Sequence, residues 1–134
     1  MALVLVLATG LAAVGSYLRA RIEAATAADA AALAAAPVTF LPFGARGSPA
    51  EEATRFAGLN GSRVLSCTCP LDPSWEPRTV EVRTERVVEI WPLGVFRVEG
   101  IGRAEFVPAL LLDPEQSSPG FRGRWRAQRD EGGG

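Results

Sequence analysis

The chain opens with MALVLVLATGLAAVGSYL (residues 1–18), which carries no charged side chain, and continues as RARIEAATAADAAALAAA (residues 19–36). A bilayer needs about 17–25 apolar residues to bury a helix backbone, and residues 2–18 meet that need. We therefore predict one long helix over residues 1–36, whose first part spans a membrane and whose alanine-rich extension projects into water. Pro37 is expected to end it, because the residue before a proline disfavours helical geometry.

A cleaved secretory signal peptide is the alternative interpretation of this stretch. Signal peptides have a shorter apolar region, about 7–15 residues, that follows positive charge, whereas the first basic residue here is Arg19. Arg19 and Arg21 lie after the span, and by the positive-inside rule they would place the downstream domain in the cytoplasm. A soluble helix buried in a core is a third interpretation.

A small α+β domain is predicted over residues 48–112, after a loop over residues 37–47. The sequence Ser48-Pro49-Ala50-Glu51 has the pattern of a capping box with proline in the first turn. It predicts an amphipathic helix that ends at Asn60-Gly61, since both residues tolerate the left-handed cap conformation. The expected fold is this helix on a three-stranded, mainly antiparallel sheet.

Three segments are predicted to form the strands, namely residues 63–69, 79–90 and 96–106. The last two alternate apolar and charged side chains with a period of two, and residues 91–95 link them as a hairpin. Gly100 and Gly102 fall on the apolar face, which indicates a bulge or close packing beneath a helix.

The outer face of the predicted hairpin is charged. It carries Glu81, Glu85 and Glu89 on one strand, opposite Arg97 and Arg103 on the next. Opposite charges across neighbouring strands stabilise a sheet, so we expect cross-strand ion pairs rather than an acid–base pair.

Composition narrows the function. The chain has no histidine, its fourteen basic residues are all arginine, and its net charge is −1. Histidine is the commonest general base and metal ligand, and electrostatic capture of nucleic acid needs a basic surface. We predict no catalytic, cofactor-binding or metal-binding residue, and hence not an enzyme. A catalytic alternative would need a cleft around Asp72 or Glu76, which no motif supports.

Cys67 and Cys69 stand two residues apart on a predicted strand, on the same face as Leu65. Their Cα atoms would be about 6.5–7 Å apart in a regular strand, near the upper limit for a disulfide. Two small buried thiols are the preferred interpretation, and an intermolecular disulfide is the alternative.

The tail over residues 113–134 is predicted to be disordered. Within it, FRGRWR (residues 121–126) interleaves arginine with aromatics, as binders of single-stranded nucleic acid or acidic lipid do. Asp130 and Glu131 partly offset this charge, so a solvated tail is preferred.

Taken in order, these segments resemble a known family. The carrying residues are the apolar span, the stretch RIEAATAADAAALAAA (residues 21–36) with Asp29 and Leu33, EEATRFAGLNGSRVLSC (residues 51–67), and two alternating strands joined around Pro92-Leu93-Gly94. Over residues 2–107 the chain resembles the TadE/TadG-like proteins of Flp (tight-adherence) pilus assembly, especially the short actinobacterial type.

The resemblance implies a single-span, non-catalytic component of an Flp pilus or related secretion apparatus, with a pseudopilin-like or minor-pilin-like role. Its partners would be the cell membrane, other single-span subunits and further copies of itself, without cofactor or nucleic acid. Small residues permit close approach of membrane helices. The candidate assembly residues are therefore Gly10, Gly15, Ser16, Asp29 and Leu33.

Two departures from the family bear on orientation and redox state. Relatives often carry positive or small polar residues before the span, and we interpret their absence as a start assigned too far downstream, with the domain outside the cytoplasm. Some relatives also have a cysteine before the amphipathic helix. Residues 47–49 offer none, so Cys67 and Cys69 have only each other or another molecule.

The alternative function is a membrane-tethered or secreted binding module for envelope components. It would use an exposed aromatic patch such as Trp75 with Trp91, and it would remain monomeric.

Overall fold

The computed structural model describes residues 1–43 and 47–112. The elements in this part of the chain are helix α1 (Ala2–Val38), a 3-10 turn (Leu41–Phe43), helix α2 (Pro49–Leu59), strands β1 (Arg63–Thr68), β2 (Arg78–Ile90) and β3 (Gly94–Phe106), and a second 3-10 turn (Pro108–Leu111). The strands form one antiparallel sheet in the order β1-β2-β3. The predicted α+β fold class is confirmed, whereas the predicted disorder of residues 113–134 lies outside the described residues.

Helix α1 has two halves with different surroundings. Its first half is exposed, and its second half buries a stripe of alanines against β2, β3 and α2. These alanines are Ala20, Ala24, Ala27, Ala28, Ala31, Ala32, Ala35 and Ala36. The prediction that the alanine-rich extension projects into water is therefore wrong, because this extension is the central helix of the core. Alanine side chains are short enough for the helix to approach the sheet closely.

Gly100 and Gly102 provide the matching surface on β3. A Cβ atom on Gly100 would lie 2.7 Å from the backbone nitrogen of Ala25, and one on Gly102 would overlap the carbonyl group of Ala28. The prediction of close packing beneath a helix is confirmed, but the helix is α1 and not the amphipathic helix α2 that the sequence predicted there. The hydroxyl of Thr84 adds a hydrogen bond across the same contact and donates to the Ala24 carbonyl at 2.9 Å.

The end of α1 lies slightly beyond the predicted one. Pro37 is inside the helix, which ends at Val38. Ala36 keeps helical geometry before the proline because its side chain is buried in the core and its carbonyl accepts hydrogen bonds from the nitrogen and hydroxyl of Thr39, at 3.2 and 2.6 Å. Tertiary packing here outweighs the local preference before proline.

Helix α2 begins as its sequence predicts. The Ser48 hydroxyl accepts from the Glu51 nitrogen at 3.2 Å, and the Glu51 carboxylate accepts from the Ser48 nitrogen at 2.7 Å, which completes the capping box. The helix ends before Gly61, whose φ of 69° is left-handed. Ala53 and Ala57 are buried, and α2 packs between α1 and β1.

A bulge in β1 changes which side chains face inward. Val64 pairs with Thr84 and Ser66 pairs with Arg83, so Leu65 is the extra residue of the bulge. Leu65 is consequently exposed, while Val64 and Cys67 pack on the core. The prediction that Leu65 shares the face of the cysteines is wrong, because one inserted residue reverses the alternation of a strand.

The charged outer face of the hairpin forms the predicted ion pairs. Arg103 lies 2.7 Å from Glu81, and Arg97 lies 3.6 Å from Glu85. Glu85 is only 6% exposed and also pairs with Arg63 of β1. The two arginines together neutralise a carboxylate that would be costly to bury alone.

Candidate assembly surface

Helix α1 is the one helix in the described part of the chain that is long and apolar enough to cross a membrane. Its most apolar 18-residue window has a mean hydropathy of 1.7, and none of that window is buried against the rest of the chain. The helix is continuous from this exposed half into the core, so the domain and the apolar segment form one rigid element.

One side of α1 stays exposed along both halves. Its side chains recur at alternating intervals of four and seven residues, which keeps them on the same side of a helix. We call this the free face, and its members are Leu7, Leu11, Leu18, Ile22, Asp29 and Leu33. Its five aliphatic side chains are all more than half exposed. The free face therefore presents aliphatic surface from the apolar segment into the domain.

The structure separates the five residues predicted from the sequence. Asp29 and Leu33 belong to the free face, and Gly15 lies at its margin, one helical turn after Leu11. Gly10 lies on the side of α1 that faces the β2–β3 turn, and it lines a cavity together with Pro92 and Leu93 of that turn. Ser16 lies on a flank, where its hydroxyl donates to the Ala12 carbonyl at 2.9 Å. Helical periodicity thus places three of the five together.

A polar cavity of about 430 Å³ lies between α1, the end of α2 and β2. Arg86, whose charge interrupts the apolar face of β2, reaches Glu23 of α1 at 3.0 Å and donates to the Asn60 carbonyl at 2.9 Å. The arginine thereby caps the end of α2 and ties both helices to the sheet. The Arg86 guanidinium is thus engaged with Glu23 and the end of α2, which is typical of a structural role.

Arg78 organises the loop between β1 and β2. Its side chain is buried, and its guanidinium donates to the backbone carbonyls of Thr39, Asp72, Ser74 and Glu76. One side chain thus ties the loop to the end of α1. The sequence gives no sign of this contact, because an arginine at the start of a strand does not reveal that carbonyls of a loop and a helix end surround it.

The same loop closes over Phe40, which is buried within the segment predicted to be a loop. The ring of Trp75 meets the Phe40 ring at 4.9 Å between centroids, edge to face. The Arg78 guanidinium lies 5.6 Å from the centre of the Phe40 ring. These contacts form a small aromatic cluster at the end of the domain where α1 stops.

Asp72 is engaged in a turn. Its carboxylate accepts from the Ser74 nitrogen at 2.7 Å and from the Ser74 hydroxyl at 2.9 Å. The hydrogen bond from the backbone nitrogen lowers the pKa of Asp72 most, and the Ser74 hydroxyl and the charge of Arg78 lower it further. A carboxylate held ionised in this way caps a turn, so the geometry gives no support to the catalytic hypothesis for Asp72 and Glu76.

Cys67 and Cys69 are joined in an intrachain disulfide, with their Cα atoms 5.4 Å apart. The distance is shorter than predicted because β1 ends at Thr68, so Cys69 has already left regular strand geometry. Both residues pack against the core. The structure therefore has a bonded pair in place of the two thiols expected, and an intermolecular bridge would require this bond to open.

Trp75 and Trp91 do not form an aromatic patch. They flank the two ends of β2, a thirteen-residue strand that covers about 43 Å at ~3.3 Å per residue. Trp75 packs on Phe40, whereas Trp91 is 84% exposed at the β2–β3 turn. The pair of tryptophans named for the alternative binding-module hypothesis therefore does not share one surface.

Within residues 1–43 and 47–112, no three His, Cys, Asp or Glu side chains converge as metal ligands. Comparison with protein-family models, curated protein sequences and solved structures gives no match to the chain. Large exposed apolar side chains concentrate on α1, at the β2–β3 turn and at Leu110, Leu111 and Leu112.

Proposed function

We propose that this protein is a single-span, membrane-anchored and non-catalytic assembly subunit, with a pseudopilin-like or minor-pilin-like role in an Flp pilus or related secretion apparatus. The observation that carries this proposal is the free face of α1, which extends from the exposed apolar half into the half that forms the domain core, where it carries Ile22, Asp29 and Leu33. A continuous helix of this kind can hold the domain at a membrane and pack laterally against similar helices.

The chemistry of the free face favours helix partners beyond the bilayer. Leu7, Leu11 and Leu18 lie in the charge-free segment, where lipid can cover them. Ile22 and Leu33 lie beyond the first charges, where lipid no longer covers the helix. Burial of such side chains against a partner contributes about 25 cal/mol per Å² of apolar surface. Association that extends along the helix past the membrane would bury both sets together.

We propose that the domain lies outside the cytoplasm. The Cys67–Cys69 disulfide supports this orientation, since disulfides persist mainly in oxidising compartments. Arg19 and Arg21 favour the opposite orientation by the positive-inside rule. The disulfide and the two arginines thus predict opposite orientations of the domain, and a labelling experiment distinguishes between them.

Gly15→Leu is expected to weaken assembly. In a background with Cys67→Ser and Cys69→Ser, Leu11→Cys should form disulfide-linked dimers when membranes are oxidised. Gly15→Leu should reduce the dimer yield roughly tenfold, because small residues allow membrane helices to approach closely. The substitution spares the fold, since apart from the adjoining residues and the surrounding backbone of α1 itself, no atom of the described residues would come within 4 Å of a Cβ at Gly15.

Ser16→Leu is the matched control for this experiment. It adds a similar side chain on the flank of the same helical turn, and it should leave the dimer yield unchanged. Equal yields for the two leucine variants, or no dimers at all, would contradict assembly through the free face. The second of these results is the one expected of a monomeric binding module.

Labelling from outside the cell should reach the domain. In the same cysteine-free background, Ser66→Cys places a thiol on the exposed outer face of β1. We expect a membrane-impermeant maleimide to label it in intact cells, while Ser16→Cys in the apolar segment stays unlabelled. Labelling of Ser66→Cys only after lysis would place the domain in the cytoplasm and refute the proposed orientation.

A further inference from the structure

The turn between β2 and β3 reaches far along the apolar half of α1. Residues from both elements line a cavity of about 380 Å³, namely Leu5, Val6, Thr9, Gly10, Pro92 and Leu93. Further from the turn, Tyr17 meets the Phe96 ring at 6.5 Å between centroids, edge to face. The hairpin thus accompanies α1 well into the segment predicted to lie in the membrane.

The end of this hairpin is apolar and exposed. Residues 90–96 read IWPLGVF and contain no charge, and we call this segment the hairpin tip. Trp91 is 84% exposed, Leu93 63% and Val95 65%. Tryptophan at the end of a strand pair, with leucine and valine beside it, is a composition that water solvates poorly.

The helix and the hairpin become charge-free at about the same level. On α1 the charges begin at Arg19, two residues after Tyr17, which contacts Phe96. On β3 the first charge is Arg97, next to Phe96, and on β2 it is Glu89, which pairs with Val95 on the exposed outer face. Two elements remote in sequence therefore share one boundary between charged and uncharged surface. A planar solvent boundary such as a bilayer explains this match.

We propose that the hairpin tip is a second membrane contact, which places Trp91 and Leu93 in the lipid beside α1. The inference rests on membrane anchoring by α1, as in the proposed function, but it does not depend on assembly. The occupant of the exposed apolar surface at the tip is lipid, because the neighbouring half of α1 is itself uncovered and apolar.

The open edges of the hairpin set how deep the tip lies. Among the described residues, β1 pairs with β2 only as far as Glu85 and no strand pairs with the outer edge of β3, so toward the tip both outer edges of the hairpin lack a neighbouring strand. Such edges are excluded from the hydrocarbon core. The tip lies beside the stretch of α1 from Leu5 to Gly10, which is about 12–20 Å along the helix axis from Leu18, at ~1.5 Å per residue. On the side of α1 that faces the hairpin, the interfacial layer is therefore drawn toward the tip, as in local thinning of a bilayer, and Trp91 occupies that layer.

Quenching of tryptophan fluorescence by brominated lipid tests this contact. The full-length protein is reconstituted into phosphatidylcholine vesicles whose acyl chains carry bromine near the glycerol end. One variant, Trp75→Phe with Trp125→Phe, reports on Trp91 alone, and a second, Trp91→Phe with Trp125→Phe, reports on Trp75. We expect roughly twofold or greater quenching for Trp91 and little for Trp75, which packs at the other end of the domain. Adding Leu93→Glu to the first variant should relieve the quenching.

Flotation of the vesicles tests membrane anchoring by α1 separately from the lipid contact of the hairpin tip. If the protein floats with lipid but Trp91 is quenched no more than Trp75, the tip contact is refuted and the anchor stands. If Trp91 is also shielded from an aqueous quencher in that case, a protein partner covers the tip. Failure to float would refute the anchor and the tip contact together.

Discussion

A Gly102→Ala variant is expected to lose most of its folded domain. The added Cβ would overlap the carbonyl group of Ala28, and a helix backbone cannot rotate away as a flexible side chain can. Relief requires α1 to lift from β3, which would open the alanine-lined core along both neighbouring turns. Overpacking usually costs about 1–3 kcal/mol and more where backbone is displaced. A domain this small has little stability in reserve.

Gly58→Ala is the control for that variant. Gly58 lies in α2, where no atom of the described residues outside the adjoining residues and the local helix backbone would come within 4 Å of the new Cβ, and alanine favours a helix over glycine by up to about 1 kcal/mol. Thermal unfolding of the detergent-solubilised proteins, followed by circular dichroism, should show a strongly lowered or absent transition for Gly102→Ala alone. Similar transitions for both variants would mean that α1 does not lie against β3.

Arg78→Met is expected to have the second-largest effect. Methionine keeps much of the length of the side chain but supplies no donor for the carbonyls of Thr39, Asp72, Ser74 and Glu76. A buried acceptor left without a partner costs about 1–3 kcal/mol. Water can reach part of this loop and replace some of the lost donors. We therefore expect the free energy of unfolding to fall by roughly 2–4 kcal/mol, which is less than the sum over all four carbonyls. Arg78→Lys should recover little, because an ammonium lacks the planar fork of guanidinium donors.

The measurement for Arg78→Met is chemical unfolding, with Trp75 fluorescence as a local reporter. Trp75 should become more exposed as its loop loses contact with Phe40, and its emission should shift to longer wavelength. Arg83→Met removes an arginine from the exposed outer face of the same strand and should change the unfolding free energy by less than about 0.5 kcal/mol. Equal effects of the two methionine variants would contradict the role assigned to Arg78.

Local patterns predicted the features that depend on neighbouring residues. The capping box of Ser48 and Glu51 spans one helical turn, and the ion pairs of Glu81 and Glu85 follow from alternation along paired strands. In each case the interacting groups are set by the period of one element or by the register of a hairpin. The bounds of β2 and β3 were accordingly predicted to within two residues.

Contacts between distant parts of the chain left no local sign. The bulge at Leu65 reversed the face of one strand, which sequence alternation alone does not reveal. Arg78 and Arg86 read as ordinary charged residues, but one gathers carbonyls from a loop and a helix end, and the other joins α1 and α2 to the sheet. Among the proposed assembly residues, Gly10 lies on the side of α1 that faces the β2–β3 turn, apart from Asp29 and Leu33.

The sequence by itself determined that residues 2–18 carry no charge, that charge begins at Arg19 and that a hairpin follows with one apolar face. Only the tertiary structure decided that the alanine-rich half of α1 is the core of the domain and that the hairpin tip lies beside the apolar half. The physical reason is that alanine is equally compatible with an exposed helix and with a closely packed one. The choice depends on Gly100 and Gly102, more than 70 residues away along the chain, which let two backbones meet.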